Sequence, residues 1–397
     1  MREHVSTGSL VEMTRALVAE DSSNPPGDER AAARVARGLL ESLGADVIEV
    51  EPAPGRVSLV GRIGTGRGPT LLINGHLDTV PVDPTDWTHD PFAAEVADGR
   101  IWGRGTADMK GGIAAAIEAV HAIRKAGRAL PCDLVFHLVA DEERGGQLGT
   151  RVLLERGLIE ADACLVPEPT GLDVCIAERG ILQMEIHLQG RPVHASEPRR
   201  GVSAIEKAAK VVLAVHAADF GHGAHPLLGS PTANAGLIDG GTGANVVAER
   251  CVLTVDHRAL PGQTEDDAVD DVRRLIDAID DPELNYRLAP LVFGEASELD
   301  ADHAWVHHLR SVIVGAIGRE PKVIGMPFAT DARFVRNQRG IPAIVCGPGA
   351  IEQAHVVDEW VALEALVDAA AVYASLMVGF DEEAAAALHD ARRAPLR

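Results

Sequence analysis

The sequence predicts an α/β protein: a mostly parallel sheet with helices on both faces, interrupted by an inserted, smaller ferredoxin-like α+β domain. Three observations carry this. Short apolar runs at 71–73, 134–139 and 163–166 alternate with helical patterns through the first half, as buried parallel strands and their crossover helices do. From about residue 180 the pattern changes: Leu182, Met184, Ile186 and Leu188 alternate with Gln183, Glu185, His187 and Gln189, a half-exposed strand. Finally, the apolar runs end on histidine or acidic residues, at the strand ends where such sheets place their ligand crevice. The chain has 397 residues, enough for two domains, and divides into 1–179 with 292–397 and an insert of 180–291.

Composition narrows the function. Aromatic residues make up only 3%, so the core must be aliphatic. A formal net charge of −22 argues against nucleic-acid or anionic-membrane partners. Cys132, Cys164, Cys175, Cys251 and Cys346 are scattered with no Cys-x-x-Cys pair, which reads as buried reduced thiols and not as a disulfide or zinc–thiolate framework. Met1-Arg2-Glu3-His4 is charged and leads into an amphipathic pattern in place of an apolar leader, and no stretch approaches a membrane span. A cytoplasmic location is expected.

Taken in order, Leu10, Val11, Thr14, Leu17 and Val18 recur at helical spacing, and Asn24-Pro25-Pro26-Gly27 stops that helix. Ala31, Val35, Leu39 and Leu43 mark a second helix ending at Gly44. Strands near 47–50 and 57–60 lead into Gly64-Thr65-Gly66-Arg67-Gly68. That stretch precedes a strand and lacks Gly-Lys-Ser/Thr, so it is a turn and not a phosphate loop. A loop over 86–92 separates the 71–76 strand from Gly103-Arg104-Gly105-Thr106-Ala107-Asp108-Met109-Lys110-Gly111-Gly112. A helix follows, with Ile113, Ala116, Ile117, Val120 and Ile123 on one face.

Within the insert, a helix over 203–218 turns Ile205, Ala208, Val212 and Val215 inward. Strands near 233–238 and 250–258 follow. Thr264 and Asp267 form a capping-box pattern for a helix through 279, and a strand near 285–288 completes β-α-β-β-α-β. Its exposed edge strand and helices suit a dimer surface. The remaining chain reads as helices over 305–317 and 331–338, a strand over 341–346, and a closing helix over 359–378. The tail from Asp381 adds a turn of helix or is mobile.

The chemistry gathers at five places. His76 and Asp78 in Gly75-His76-Leu77-Asp78 lie two residues apart, so in extended chain both point the same way, and Asp78 is placed to hold or polarise His76. Asp108 precedes a helix. It is either a cap on that helix or, with glycines on both sides, a group closely approached by something else. Asp141-Glu142-Glu143 ends a strand, as an exposed acidic turn or as carboxylates around a cation. Glu168 ends the next strand, and His355 follows a late one. Two histidines and three carboxylates (His76, Asp108, Glu143, Glu168, His355) suit two divalent ions, Zn²⁺ foremost, with Co²⁺ or Mn²⁺ as alternatives. One carboxylate must bridge, and Asp108, set in its Gly turn, is the natural one. Glu142 is left over beside the ions, where a general base belongs. His137 and His187 within strands, like the remaining histidines, read as structural or solvated.

Gly-His-Leu-Asp-Thr-Val, Gly-Arg-Gly-Thr-Ala-Asp-Met-Lys-Gly, Asp-Glu-Glu, Pro-Glu-Pro-Thr and the late His355 resemble the M20 metallopeptidase family, in order, over about residues 10–378. Within it they resemble the branch of acetylornithine deacetylases and succinyl-diaminopimelate desuccinylases. The resemblance implies that His76, Asp108 and Glu168 hold one ion and Asp108, Glu143 and His355 the other. It makes Glu142 the general base and Asp78 the orienting carboxylate, and implies a cis Asp108–Met109 peptide. It also implies a lid and dimerisation role for the insert, whose Gly190-Arg191-Pro192-Val193-His194 is similar to the family's His-containing lid motif. His194 would then stabilise the oxyanion in the active site of a partner subunit. Asn245 and Arg258 resemble substrate-contacting positions, Arg258 by gripping a carboxylate. Read without the family, Arg258 is a surface salt bridge and His194 a loop histidine.

The expected activity is hydrolysis of the amide of an N-acyl amino acid by an activated water, acetylornithine deacetylase-like from Gly-Pro-Gly-x-x-x-Gln-Ala-His at 347–355. The alternatives are a metallo-carboxypeptidase or dipeptidase acting on short peptides and a non-catalytic binder on the same scaffold. Small-molecule substrates and a homodimer are expected, with no nucleic-acid or membrane partner.

Overall fold

The computed structural model describes residues 1–392. Helices α1 (Thr7–Val18) and α2 (Arg30–Ser42) precede strands β1 (Asp46–Val50), β2 (Ser58–Ile63) and β3 (Thr70–His76). The short β4 (Glu95–Ala97) and β5 (Arg100–Trp102) come next, then α3 (Lys110–Lys125), β6 (Asp133–Val139), α4 (Thr150–Glu155), β7 (Ala163–Pro169) and β8 (Val174–Glu178). The middle of the chain forms β9 (Ile181–Gln189), α5 (Ala204–His216), β10 (Thr232–Gly240), β11 (Arg250–Arg258), α6 (Glu265–Asp277) and β12 (Asn285–Gly294). The last part comprises β13 (Ser297–Glu298), α7 (Ala304–Ile317), β14 (Val323–Met326), α8 (Ala332–Arg339), β15 (Ala343–Gly347), β16 (Trp360–Ala362), α9 (Leu363–Gly379) and α10 (Glu382–Arg392). Two compact units result. One is built from residues 1–176, 299–324 and 330–392, the other from residues 177–298 and 325–329.

The large sheet has the order β1-β2-β6-β3-β7-β15-β8-β13, with β14 also on β8. It is parallel at its centre, where β3 pairs with β6 and β7, and β7 with β15. It is antiparallel towards both edges, through β1–β2–β6 on one side and β15–β8 on the other. The central strands are buried on both faces, which is why they read as unbroken apolar runs. Helix α3 packs on β3 and β7, with α1 and α9 against it. All its residues from Lys110 to Val120 are buried, as expected of a helix apolar nearly all round.

The second unit is antiparallel throughout, with the order β10-β11-β9-β12 that the β-α-β-β-α-β connection produces. Leu182, Met184, Ile186 and Leu188 of β9 are buried while the residues between them are not. They meet Leu253 and Val255 of β11, Ala208, Val211 and Val215 of α5, and Val272 and Ile276 of α6. Thr264 and Asp267 make the reciprocal capping box at the start of α6. Strand β10 is an exposed edge carrying outward Leu237 and Ile238.

Several expectations are corrected. The closing helix starts at Leu363 and not at residue 359, because Trp360–Ala362 pair with β5 in a small three-stranded sheet of β16, β5 and β4. Ile205 faces outward; Ala204, Lys207 and Ala208 take the buried side of α5. In α2 the buried residues are Ala32, Ala33, Ala36 and Leu40; of the expected row Ala31, Val35 and Leu39 are half-buried, while Leu43, just past the helix, is buried. Strand β12 runs to Gly294, beyond the expected 288, and Val174–Glu178 form β8, a strand the sequence reading does not include. The tail is helical through Arg392, and its last five residues, 393–397, lie outside the described residues.

Candidate metal centre

Strand β3 ends on His76, and β7 carries Glu168 at its end; the two are parallel neighbours, so these side chains emerge together. Gly112 lets the first turn of α3 close on that edge. A Cβ there would fall on the carbonyl oxygen of Pro167. The approach sets Asp108, just ahead of α3, against both residues. His76 Nε2 lies 3.0 Å from Asp108 Oδ1 and 3.2 Å from Glu168 Oε1. Asp108 does not cap α3, whose first turn has no side-chain cap bond, and the Asp108–Met109 peptide is cis.

The other oxygen of Asp108 faces His355. Its Oδ2 lies 3.3 Å from His355 Nε2, which is 3.0 Å from Glu143 Oε2. Two groups thus share Asp108: His76, Asp108 and Glu168, and Asp108, Glu143 and His355. Within each, one ligand atom per residue lies within 4.8 Å of the others. Imidazole nitrogens and carboxylate oxygens converging with a common carboxylate fit two divalent cations.

The charges fit as well. Burial, with the Asp108 charge beside it, pushes Glu168 up to about 8 and raises Glu143. Burial opposes the charged form of His76, yet Glu168 and Asp108 outweigh it and its pKa rises well above the usual histidine value. Hydrogen bonds to Asp108 and Glu143 lift His355 to about 10. Burial also works to raise Asp108, but the bonds from His355 and His76 hold it below the usual carboxylate range. Without cations, protons balance this cluster. Glu142 belongs to neither group. Burial, reinforced by Asp331, Glu168 and Glu143, pushes its carboxyl well above the usual range.

A second layer holds these side chains. Glu142 and Glu143 ride on a single 3₁₀ turn entered through Asp141, which adopts left-handed φ of 71°. The Asp78 carboxylate accepts both of their backbone N–H groups at 3.2 Å, and the Asn24 amide donates to it at 2.8 Å. Asn24 in turn accepts from Arg56 at 3.2 Å. Arg56 also pairs with Asp141 at 3.1 Å and with the buried Glu29 at 2.6 Å. Glu29 is pushed up to about 8, chiefly by burial. On the opposite side, the Glu359 carboxylate accepts the N–H groups of Ala107 and Asp108 at 2.8 and 3.1 Å and pairs with Arg104 at 2.5 Å.

The remaining candidates lie in the second unit. His194 is exposed, and its Nδ1 accepts from the Ser196 amide at 3.2 Å and meets Ser196 Oγ at 2.8 Å. With Nδ1 accepting, Nε2 carries the proton, and His194 offers an outward N–H donor. Its segment pairs with that of Asn245: His194 bridges Val246, and the Asn245 carbonyl accepts from the Ala195 amide at 2.9 Å. Arg258 grips Asp256, two residues away on β11, at 2.7 and 3.3 Å. Asn24, Arg56, Glu29, Arg104 and Glu359 were missed in the sequence. Arg104 stands in a quoted motif, but nothing along the chain ties it to Glu359.

Residues 72–378 match the model of Peptidase family M20/M25/M40. An acetylornithine deacetylase from Pectobacterium carotovorum subsp. carotovorum (strain PC1) is 32% identical over 371 residues, covering 89% of this chain and 92% of that protein. Among solved structures, aminopeptidase PepT from Bacillus cereus ATCC 10987 is 23% identical with a TM-score of 0.78, covering 96% of this chain and 100% of that one. The Bacillus subtilis protein YXEP, described as a dinuclear metal-binding peptidase of the M20 family, is 17% identical with a TM-score of 0.70, covering 94% of this chain and 97% of that one. The likeness to these structures is one of fold.

Proposed function

The chain belongs to peptidase family M20/M25/M40, and from that membership we propose that it is an acetylornithine deacetylase-like amidohydrolase that cleaves the amide of an N-acyl amino acid. One observation carries the reading: Glu142 stands beside two ligand groups that share Asp108 and belongs to neither. A non-catalytic binder has no use for that extra carboxylate.

His76, Asp108 and Glu168 would hold one divalent ion and Asp108, Glu143 and His355 the other; Zn²⁺ suits this mixture of nitrogen and oxygen donors, as do Co²⁺ and Mn²⁺. When bound, the ions supply a Lewis acid for the amide carbonyl and a water acidic enough to attack it. Glu142 takes the proton of the attacking water and returns it to the leaving amine, a role open to it because it is not needed as a ligand. Asp78 keeps Glu142 aimed by holding its backbone. The Nε2–H of His194 from a second copy donates to the developing oxyanion. Asn245 and Arg258 contact the substrate, Arg258 exchanging Asp256 for the substrate carboxylate. The second copy docks on the exposed edge strand β10, where Leu237 and Ile238 lie outward. Five free, buried cysteines accord with a reducing, cytoplasmic location. No single helix among the described residues is long and apolar enough to cross a membrane.

The test is amine release by the Zn²⁺- or Co²⁺-loaded protein from N-acetyl-ornithine, N-succinyl-diaminopimelate, other N-acyl amino acids and dipeptides, with Glu142→Ala alongside. Turnover of an N-acyl amino acid that the variant loses supports the proposal. Turnover of dipeptides alone replaces it with a peptidase.

A further inference from the structure

The five ligands are not held equally. His76 and Glu168 sit at the ends of adjacent buried strands and are themselves 1% and 4% exposed. The sheet ladder fixes them. His355 comes from a loop; its backbone is left-handed, with φ of 63°, and its side chain is 52% exposed. No ladder reaches it. Its segment is tied at Asp358, whose carboxylate accepts the N–H groups of Thr88 and His89 at 2.8 and 3.2 Å, and towards Asp108 by a buried ion pair. Glu359, four residues after His355 and fully buried, turns one carboxylate oxygen to the N–H groups of Ala107 and Asp108 and the other to Arg104. Arg104 uses its second nitrogen on the carbonyl of Val356, next to His355, at 3.2 Å. The Glu359 carbonyl accepts from the Gly103 amide at 2.8 Å. Residues 103–108, which end on the bridging carboxylate, and residues 355–359, which begin on the exposed histidine, are therefore fastened by that backbone bond and by the planar, two-ended contact of Arg104 with Glu359 and Val356. A point charge on a flexible stem cannot reproduce it.

We propose that Glu359 and Arg104 are positioning residues that set Asp108 and His355 against each other, so that the ion held by Asp108, Glu143 and His355, which has two ligands on the fastened segments, depends on them more than the ion held by His76, Asp108 and Glu168, which has one. The inference rests on the two-ion reading of the site. Removing either partner leaves a buried charge without its mate, frees the Ala107–Asp108 peptide and lets the His355 loop drift. The strand-end histidine and glutamate stay where they are.

Zn²⁺ titration with metal analysis of the full chain decides it, on wild type, Arg104→Lys, Glu359→Gln and Glu142→Gln. Circular dichroism and thermal unfolding identify any variant that fails to fold, and the conservative Arg104→Lys carries the test if Glu359→Gln does. Wild type and Glu142→Gln are expected to bind two ions tightly. Arg104→Lys and Glu359→Gln should keep one tight ion while the affinity for the second falls ~10–100-fold. The proposal is overturned if both folded variants bind two ions as wild type does, or if both ions weaken equally. If wild type binds fewer than two, it is the two-ion reading that fails.

Discussion

His76 Nδ1 lies 2.8 Å from the backbone carbonyl oxygen of Asp78 and 3.7 Å from the Asp78 carboxylate. The carbonyl accepts the Nδ1 proton and so aims Nε2 at Asp108 and Glu168. The carboxylate is occupied elsewhere, by the backbone of Glu142 and Glu143 and by Asn24. Sequence spacing pairs His76 with the Asp78 side chain; the geometry pairs it with the main chain and gives the side chain to the Glu142 turn.

Asp78→Ala should therefore lower kcat ~10–100-fold while two Zn²⁺ ions still bind, because the carbonyl that orients His76 survives the substitution. Asp78→Asn keeps one acceptor oxygen and should recover part of the loss. Parallel kcat and metal analyses check this. Loss of the His76-side ion in Asp78→Ala would return the carboxylate to the orienting role.

Why some of this could be read along the chain and some could not follows from distance. The central strands end on their own ligands, so an apolar run followed by His76 or Glu168 announces both strand and site. Strands of three residues have no period to detect, and Val361, Leu363 and Leu366 fit a helix, which is why β16 was absorbed into α9. Helix α2 is rich in alanine and carries two apolar rows, and nothing in it ranks Ala32, Ala36 and Leu40 above Ala31, Val35 and Leu39. Arg104 and Glu359 are 255 residues apart, and a pairing over that span leaves no local trace.

Cation binding should release protons. His355 is lifted to about 10 by its bonds to Asp108 and Glu143, and Glu168 to about 8 by burial beside Asp108. At neutral pH the ion-free site thus holds protons on both, and a cation must displace them. Raised values mean that Zn²⁺ affinity climbs as pH rises towards them and falls in acid. Calorimetric titrations at pH 7 in two buffers of different ionisation enthalpy should differ in heat by the protons released. Equal heats would mean that the ion-free ligands are already deprotonated.

If His194 acts from a second copy, two inactive variants should repair each other. Glu142→Ala lacks the base but offers His194; His194→Ala lacks the donor but keeps Glu142. In a two-fold dimer that exchanges subunits, half of a 1:1 mixture is mixed, with one intact site of two, so activity should reach roughly a quarter of wild type. Activity no higher than the sum of the separate variants, or a fully active monomer by light scattering, removes His194 from the partner's site.

The last prediction concerns a histidine away from the metal ligands. His137 lies on β6 between β2 and β3, fully buried, and burial with the Arg62 charge pushes it down to about 3. An unfolded chain protonates the same ring near the ordinary value of about 6.5. Between the two, the unfolded state binds the proton and the native state does not, so stability is lost as pH falls from about 6.5 towards 3, at about 1.4 kcal/mol per pH unit from this group. His137→Leu abolishes the difference in proton uptake. Whatever the substitution does to packing at pH 7, the variant should gain about 2 kcal/mol on wild type when urea unfolding is repeated at pH 5. A gap between the two proteins that stays constant with pH would mean that the native ring takes up its proton as readily as the unfolded one.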